Sequence, residues 1–142
     1  MKAVMISINK PHTDNIFDGI KYNEWRTKPL PLGKHYVYET KNKGGCGKVI
    51  GEMEIVKNIE VDIASFETYN LFVDELISSG CVSEDFLFNY AHKHDTFILY
   101  ANIIDKAKRY DKPKEISEFW SVSGNKMGQI QRPPQSWCYV EE

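Results

Sequence analysis

The sequence predicts a single-domain α+β protein, a small mixed β-barrel of five to six strands with helical inserts. Three observations predict it. Five or six β-rich runs are separated by turn signals, the clearest helical periods fall in inserts between them, and no regular strand–helix alternation marks a doubly wound sheet. The 142 residues make about one domain, spanning 1–142. At this length roughly 68–70% of the extended chain's surface is buried, enough for a core without metal or disulfide staples.

The opening strand is read from KAVMISIN, where Val4, Ile6 and Ile8 share one face and Met5, Ser7 and Asn9 the other, as in a half-buried strand. Pro11 presets a short helix in which Ile16, Phe17 and Ile20 fall at i, i+1 and i+4, and Gly19 ends it. HYVYET (35–40) and VIGEMEIV (49–56) are β-branched and aromatic, joined through the turn-forming tract GGCGK. In the second run Val49, Gly51, Met53 and Ile55 share a face while Glu52 and Glu54 point away, so one face of this sheet is wet.

From Ser65 to Ser79 the period changes to three and four, with Tyr69, Phe72, Val73, Leu76 and Ile77 in phase. Ser83, followed by Glu84 and Asp85, N-caps a second inserted helix through Phe86, Leu87, Tyr90 and Ala91. TFILYANII (96–104) is a strongly apolar strand, and RYDKPKEISEFW a mixed loop with one helical turn. SWCYV (136–140) is a short final strand after Pro133-Pro134.

Composition excludes several classes. Hydrophobic residues at 42% and charged residues at 27% argue against disorder or a fibrous repeat. No apolar run approaches the ~18 residues of a membrane span. MKAVMISINK is too short and too soon polar for a signal peptide, so a cytoplasmic protein with no membrane partner is expected. Cys46, Cys81 and Cys138 lack paired spacing, and His92 and His94 would share a face on a strand but not at the helix end they occupy. Neither a metal nor another cofactor is therefore expected.

The formal charge of −2 conceals three segments: +3 over residues 1–60, −7 over 61–105 and +2 over 106–142. Attraction for phosphate follows local potential rather than the total, so this balance permits nucleic acid while arguing against tight, sequence-blind binding.

The densest chemistry lies in Gly19-Ile20-Lys21-Tyr22-Asn23-Glu24-Trp25-Arg26. On a strand Glu24 and Arg26 share a face with Tyr22, so Lys21 joins Glu24 only if it sits in the preceding turn. A surface ion pair beside a structural glycine is the plain alternative.

The pattern Gly-x-Lys-x-x-Glu-x-Arg, filled by Gly19, Lys21, Glu24 and Arg26 after a strand and short helix, resembles the signature of the ASCH domain, a PUA-like β-barrel. Long bacterial and phage-type members likewise open with a strand like VMISI and end near Pro-Pro-Gln-Ser-Trp-Cys-Tyr-Val, here 133–140. The resemblance implies binding of RNA or a modified nucleotide in a cleft, with a role in regulating transcription or translation or in processing RNA. Lys21 would contact phosphate or base, and Glu24 with Arg26 would shape the pocket. Asn9, Lys10, Gln135, Ser136 and Trp137 would form the cleft rim.

The resemblance leaves an enzyme open. One branch looks like an amidohydrolase that removes the acyl group of acetylated cytidine, using the motif lysine, a threonine where this chain has Glu24, and a glutamate shortly before the second inserted helix. Here that neighbourhood reads Ser78-Ser79-Gly80-Cys81-Val82. In such an enzyme, or in a ribonuclease, Lys21 would be the catalytic group. A neighbouring carboxylate favours the charged, binding form of a lysine, and Glu24 can also accept from an exocyclic amine.

Three further features bear on binding. The loop Lys41-Asn42-Lys43-Gly44-Gly45-Cys46-Gly47-Lys48 supplies Lys41, Lys43 and Lys48 as backbone contacts, either as an anion nest or as a solvated hairpin tip. Trp25 is set to stack on an unpaired base or to fill the core. Asp74, Glu75, Glu84 and Asp85 give the inserted helices an acidic face, which would suit a basic protein partner or simply be solvated.

Overall fold

The first strand carries apolar residues on both faces, which only a strand with neighbours on either side and layers above and below can bury. In the computed structural model, which describes residues 2–64, 71–122 and 128–142, β1 (Lys2–Ile8) holds that place. It pairs in parallel with β3 (Gly33–Glu39) and antiparallel with β8 (Trp137–Glu141). Ala3 and Met5 pack with Tyr36, Phe119, Ile130 and Val140, while Ile6 and Ile8 pack with Ile16, Leu30, Met53 and Ile104. The expected half-buried strand is thus buried on both faces, because a second hydrophobic layer covers the side that carries Met5.

Among the described residues eight strands form one mixed sheet. Besides β1, β3 and β8 they are β2 (Asn23–Arg26), β4 (Lys48–Asp62), β5 (Ile98–Lys114), β6 (Trp120–Ser121) and β7 (Gly128–Gln129). Their order is β2-β5-β4-β3-β1-β8-β6-β7. The α+β class stands, but the barrel of five to six strands is corrected to a curled sheet whose ladder does not close. Two strands of two residues each escape any periodicity test. Register shifts at Val37/Tyr38 and at three points between β4 and β5 bend the sheet without sealing it.

The expected strand at 96–104 runs on to Lys114, because its ladder with β4 continues through Gly51↔Arg109 and Val49↔Lys114. Pro113 is tolerated there because β2 covers only Tyr100–Ile103, leaving that edge of β5 without a second partner. The expected helical turn follows at Ile116–Glu118.

Three helices complete the described chain: α1 (His12–Phe17), α2 (Leu71–Ser79) and α3 (Glu84–Lys93). Residues 65–70 of the expected first inserted helix, and the side chains of Leu71 and Phe72, lie outside the described residues. Leu76 and Ile77 of α2 and Leu87 and Ala91 of α3 bury themselves against Trp25, Val61 and Leu99. Ser83 caps α3, its hydroxyl accepting from the Phe86 N–H at 3.0 Å. No described helix is long and apolar enough to cross a membrane.

Candidate functional site

The open seam of the sheet is where the motif lies. β2 and β1 are separated by three strands in the ladder, yet Arg26 on β2 reaches both β1 and the residue that precedes β8. It donates through Nη2 to the Ser7 carbonyl at 3.1 Å and through Nη1 to Ser136 Oγ at 3.0 Å, just before β8. A guanidinium fork therefore spans the gap that a closed ladder would have filled. Its other hydrogen bond holds Glu24, with Nε donating to Oε2 at 3.0 Å.

Gly19, at φ +75°, turns the chain out of α1. The N–H groups of Ile20 and Lys21 both donate to the Asn15 carbonyl at 2.9 Å. This places Lys21 in the turn before β2, as a shared site with Glu24 requires. Lys21 is only 2% exposed, with Nζ donating to the Gly80 carbonyl and lying 3.5 Å from Glu24 Oε1. Burial by itself would raise the Glu24 carboxyl, but Arg26 and then Lys21 prevail and hold it below its ordinary range. The result is a buried chain of charges, Lys21–Glu24–Arg26.

Two buried asparagines position this chain. Asn23 donates to the Leu76 carbonyl and to Ser79 Oγ, both at 2.9 Å, tying β2 to the end of α2. Asn102 on β5 donates to the Glu24 carbonyl at 3.0 Å and accepts from the Leu30 N–H at 3.0 Å and from Asn58 at 2.6 Å. Gly80 is needed for close approach, since a Cβ there would stand 2.4 Å from Asn23 Oδ1 and 2.6 Å from Trp25 Nε1.

A cavity of about 440 Å³ opens over the charges. Lys21, Glu24 and Arg26 line one part of it, and Trp25, Val82, Phe86 and Tyr90 form an apolar and aromatic wall. The Phe86 and Tyr90 rings lie parallel, 5.9 Å apart and 8° from coplanar. Asn9, Asn42, Lys43 and Gln135 also line it, as does His12, whose Nδ1 is buried without a partner. Burial, and then Lys21, lower the His12 pKa from its ordinary value.

Of the residues singled out in the sequence, the cavity gathers Lys21, Glu24, Trp25, Arg26, Asn9, Lys43 and Gln135, with Ser136 bonded to Arg26. Trp25 is 5% exposed and packs in the core beneath α2 and α3, so it forms the wall from inside. The remaining candidates do not line this cavity. Lys10 pairs with Asp14 at 3.1 Å, the Lys41 chain lies against Gly47, and Lys48 pairs with Glu115 at 3.1 Å. Trp137 stands edge-on to Tyr139 and lines a neighbouring cavity of about 630 Å³ that shares Gln135. Asp74, Glu75, Glu84 and Asp85 are exposed on α2 and α3. Among the described residues no group of three or more His, Cys, Asp or Glu is placed to hold a metal.

His12, Phe86, Tyr90 and Asn102 are site residues that carry no site signal in the sequence. Phe86 and Tyr90 fit the period of their helix and Asn102 lies within an apolar strand run, so only the third dimension brings these residues to the seam.

A curled mixed sheet with helices over one end and a charged seam defines the protein as α+β. No family model matches the sequence, and no curated protein matches it. Solved structures do: the ASCH protein of Zymomonas mobilis superposes with a TM-score of 0.70 at 20% identity, covering 99% of this chain and 88% of that one. A tyrosine-to-phenylalanine variant of the same protein gives 0.71 at 20% identity over 100% and 92% of the two chains. A serine-to-alanine variant gives 0.70 at 18% identity over 99% and 89%. The fold is that of an ASCH domain, as the sequence motif implied.

Proposed function

We propose that this protein binds RNA or a modified nucleotide by taking one nucleotide unit into the seam between β2 and β1. The observation that carries this reading is the meeting, in one cavity, of an aromatic wall and a buried lysine–carboxylate–guanidinium chain. A base stacks on Phe86 and Tyr90, a contact worth ~1–3 kcal/mol per base. Lys21 and Glu24 then offer a donor and an acceptor to its edge. A volume of about 440 Å³ falls within the range of small-ligand sites. The ASCH fold supports the same reading by analogy.

Titration calorimetry with the four ribonucleotides and a short single-stranded RNA tests it. Binding is expected, with loss of at least tenfold in Lys21→Ala and in Phe86→Ala. Equal affinity in both variants and the parent protein would overturn it. The alternative, hydrolysis of acylated cytidine or of RNA with Lys21 as the reactive group, is separated by incubation with acetylcytidine and with RNA followed by chromatography. Turnover lost in Lys21→Ala would replace binding by catalysis. In the stretch where the amidohydrolase resemblance implies an acid, this chain offers Lys21 the Gly80 carbonyl, an arrangement suited to holding the amine in place.

A further inference from the structure

We propose that Lys43 anchors a phosphate subsite at the rim of the cavity, so that the ligand is a phosphorylated nucleoside rather than a bare nucleoside or base. This rests on the nucleotide reading of the cavity and specifies it.

The argument begins with the charges already committed. Arg26 spends its fork on Glu24, Ser136 and the Ser7 carbonyl, and Lys21 is held by the Gly80 carbonyl and Glu24. Those two cations and one carboxylate lie at the buried end. Lys43, exposed and lining the same cavity, has no carboxylate within ion-pair distance among the described residues. Lys10, Lys34, Lys48 and Lys106 each have one. A base inserted against Phe86 and Tyr90 leaves its sugar and phosphate toward the exposed rim, where this unspent charge lies. Asn9, Asn42 and Gln135 line the same cavity with amide groups that can donate to phosphate oxygens.

The backbone supplies a second, independent observation. Lys43 sits at φ 54°, ψ 35°, the left-handed region that a residue with a Cβ occupies at a cost and glycine does not. Strain of this kind persists where surrounding structure fixes it, and here the surroundings are unusually firm. Glu39, 3% exposed, accepts from Thr13 Oγ1 at 2.6 Å and from the Cys46 N–H at 3.0 Å. The Gly47 N–H donates to the Glu39 carbonyl at 3.0 Å, the Gly45 N–H to the Asn42 carbonyl at 3.1 Å, and the Thr40 N–H to the Ile8 carbonyl at 3.0 Å. The loop is therefore braced to α1, which bears His12, and to β1, which leads into Asn9, so the backbone that carries Lys43 is held in place. Lys48, in the same basic tract, pairs with Glu115, and Lys41, whose aliphatic chain lies against Gly47, does not line the cavity.

The test compares each of the four ribonucleosides with its 5′-monophosphate, and with a trinucleotide, by titration calorimetry at low salt. The parent protein should favour monophosphate over nucleoside by at least tenfold, and Lys43→Gln should bring that ratio to within twofold of parity. Lys43→Gly, which suits the left-handed turn, should lose the ratio as well while melting at a higher temperature, which separates loss of charge from loss of the loop. Lys112→Gln, removing an exposed charge on β5, should keep it. A trinucleotide preferred over the monophosphate would assign the subsite to a strand, and the reverse to a free nucleotide; both support it. Nucleoside and monophosphate binding alike, or a ratio that survives Lys43→Gln, overturns the subsite while leaving the nucleotide reading intact. Binding of none of these probes overturns both.

Discussion

Glu24 is a carboxylate only 9% exposed with two cationic neighbours, and such a group depends on its partners more than it contributes alone. Removing one partner of a buried pair leaves an uncompensated charge, which costs about 3–5 kcal/mol in fully buried cases. Arg26 also carries the side-chain link from β2 to Ser7 and Ser136 across the open seam. Arg26→Ala is therefore expected to cost about 3 kcal/mol in chemical denaturation. Arg26→Lys recovers less than half, since an ammonium cannot reproduce the fork. A loss below about 1 kcal/mol would show the clasp to be incidental. Gly80 makes a second test at this scale. A methyl there meets Asn23 and the Trp25 indole at under 3 Å, so Gly80→Ala should destabilise by about 1–3 kcal/mol through overpacking. It should also weaken ligand binding, because the displaced carbonyl is the one that holds Lys21; calorimetry on the folded variant reads the second effect apart from the first.

At the scale of elements, α3 links a sequence signal to the site. Its Ser83 cap satisfies the Phe86 N–H, and the helix it starts carries Phe86 and Tyr90 into the cavity wall. Ser83→Ala should cost about 1 kcal/mol of stability and lower nucleotide affinity through a less firmly placed wall; thermal melting and titration check the two effects. A melting temperature equal to the parent's would contradict the capping role. The cap was legible because Ser-Glu-Asp before an apolar period has a local cause. The same holds for β1 and for the turn at Gly19, both set by neighbours within a few residues. What escaped was non-local. The run of β5 to Lys114 is sustained by β4, a partner about sixty residues away, against the local advice of Pro113. The second covered face of β1 comes from Phe119 and Ile130 at the far end of the chain. His12 and Asn102 entered the site through tertiary placement alone, and the lysines of the 41–48 tract divide into one cavity residue and two others only once the loop has folded.

The whole molecule is a sheet that curls without sealing, and sequence period cannot distinguish that from a closed barrel, since both need the same alternation. Curling also buries polar groups on its inner side, which makes the fold sensitive to acid in two separable steps. His35 on β3 is fully buried, its Nδ1 near the Gly33 carbonyl at 3.0 Å and its Nε2 without a partner. Burial pushes its pKa down to about 4; the Gly33 carbonyl opposes this and Arg26 adds to it. The unfolded chain, with an ordinary histidine near 6.5, then binds more protons than the folded one as pH falls below 6.5. Stability therefore drops across the interval from 6.5 to about 4 and levels below it. A difference of this size corresponds to about 3 kcal/mol. His12, lowered chiefly by burial, works in the same direction. Glu24, Glu39 and Asp14 are held below the ordinary carboxylate range, so the stability they add is present above about 4.5 and lost only as pH falls through their folded values. Denaturation free energies measured from pH 7.5 to 3 should fall in both intervals. His35→Asn, which keeps a donor for the Gly33 carbonyl but cannot ionise, should remove most of the upper slope and leave the lower one. An upper slope unchanged by that substitution would mean that the imidazole is not buried in its neutral form, and that the curled sheet admits water to β3.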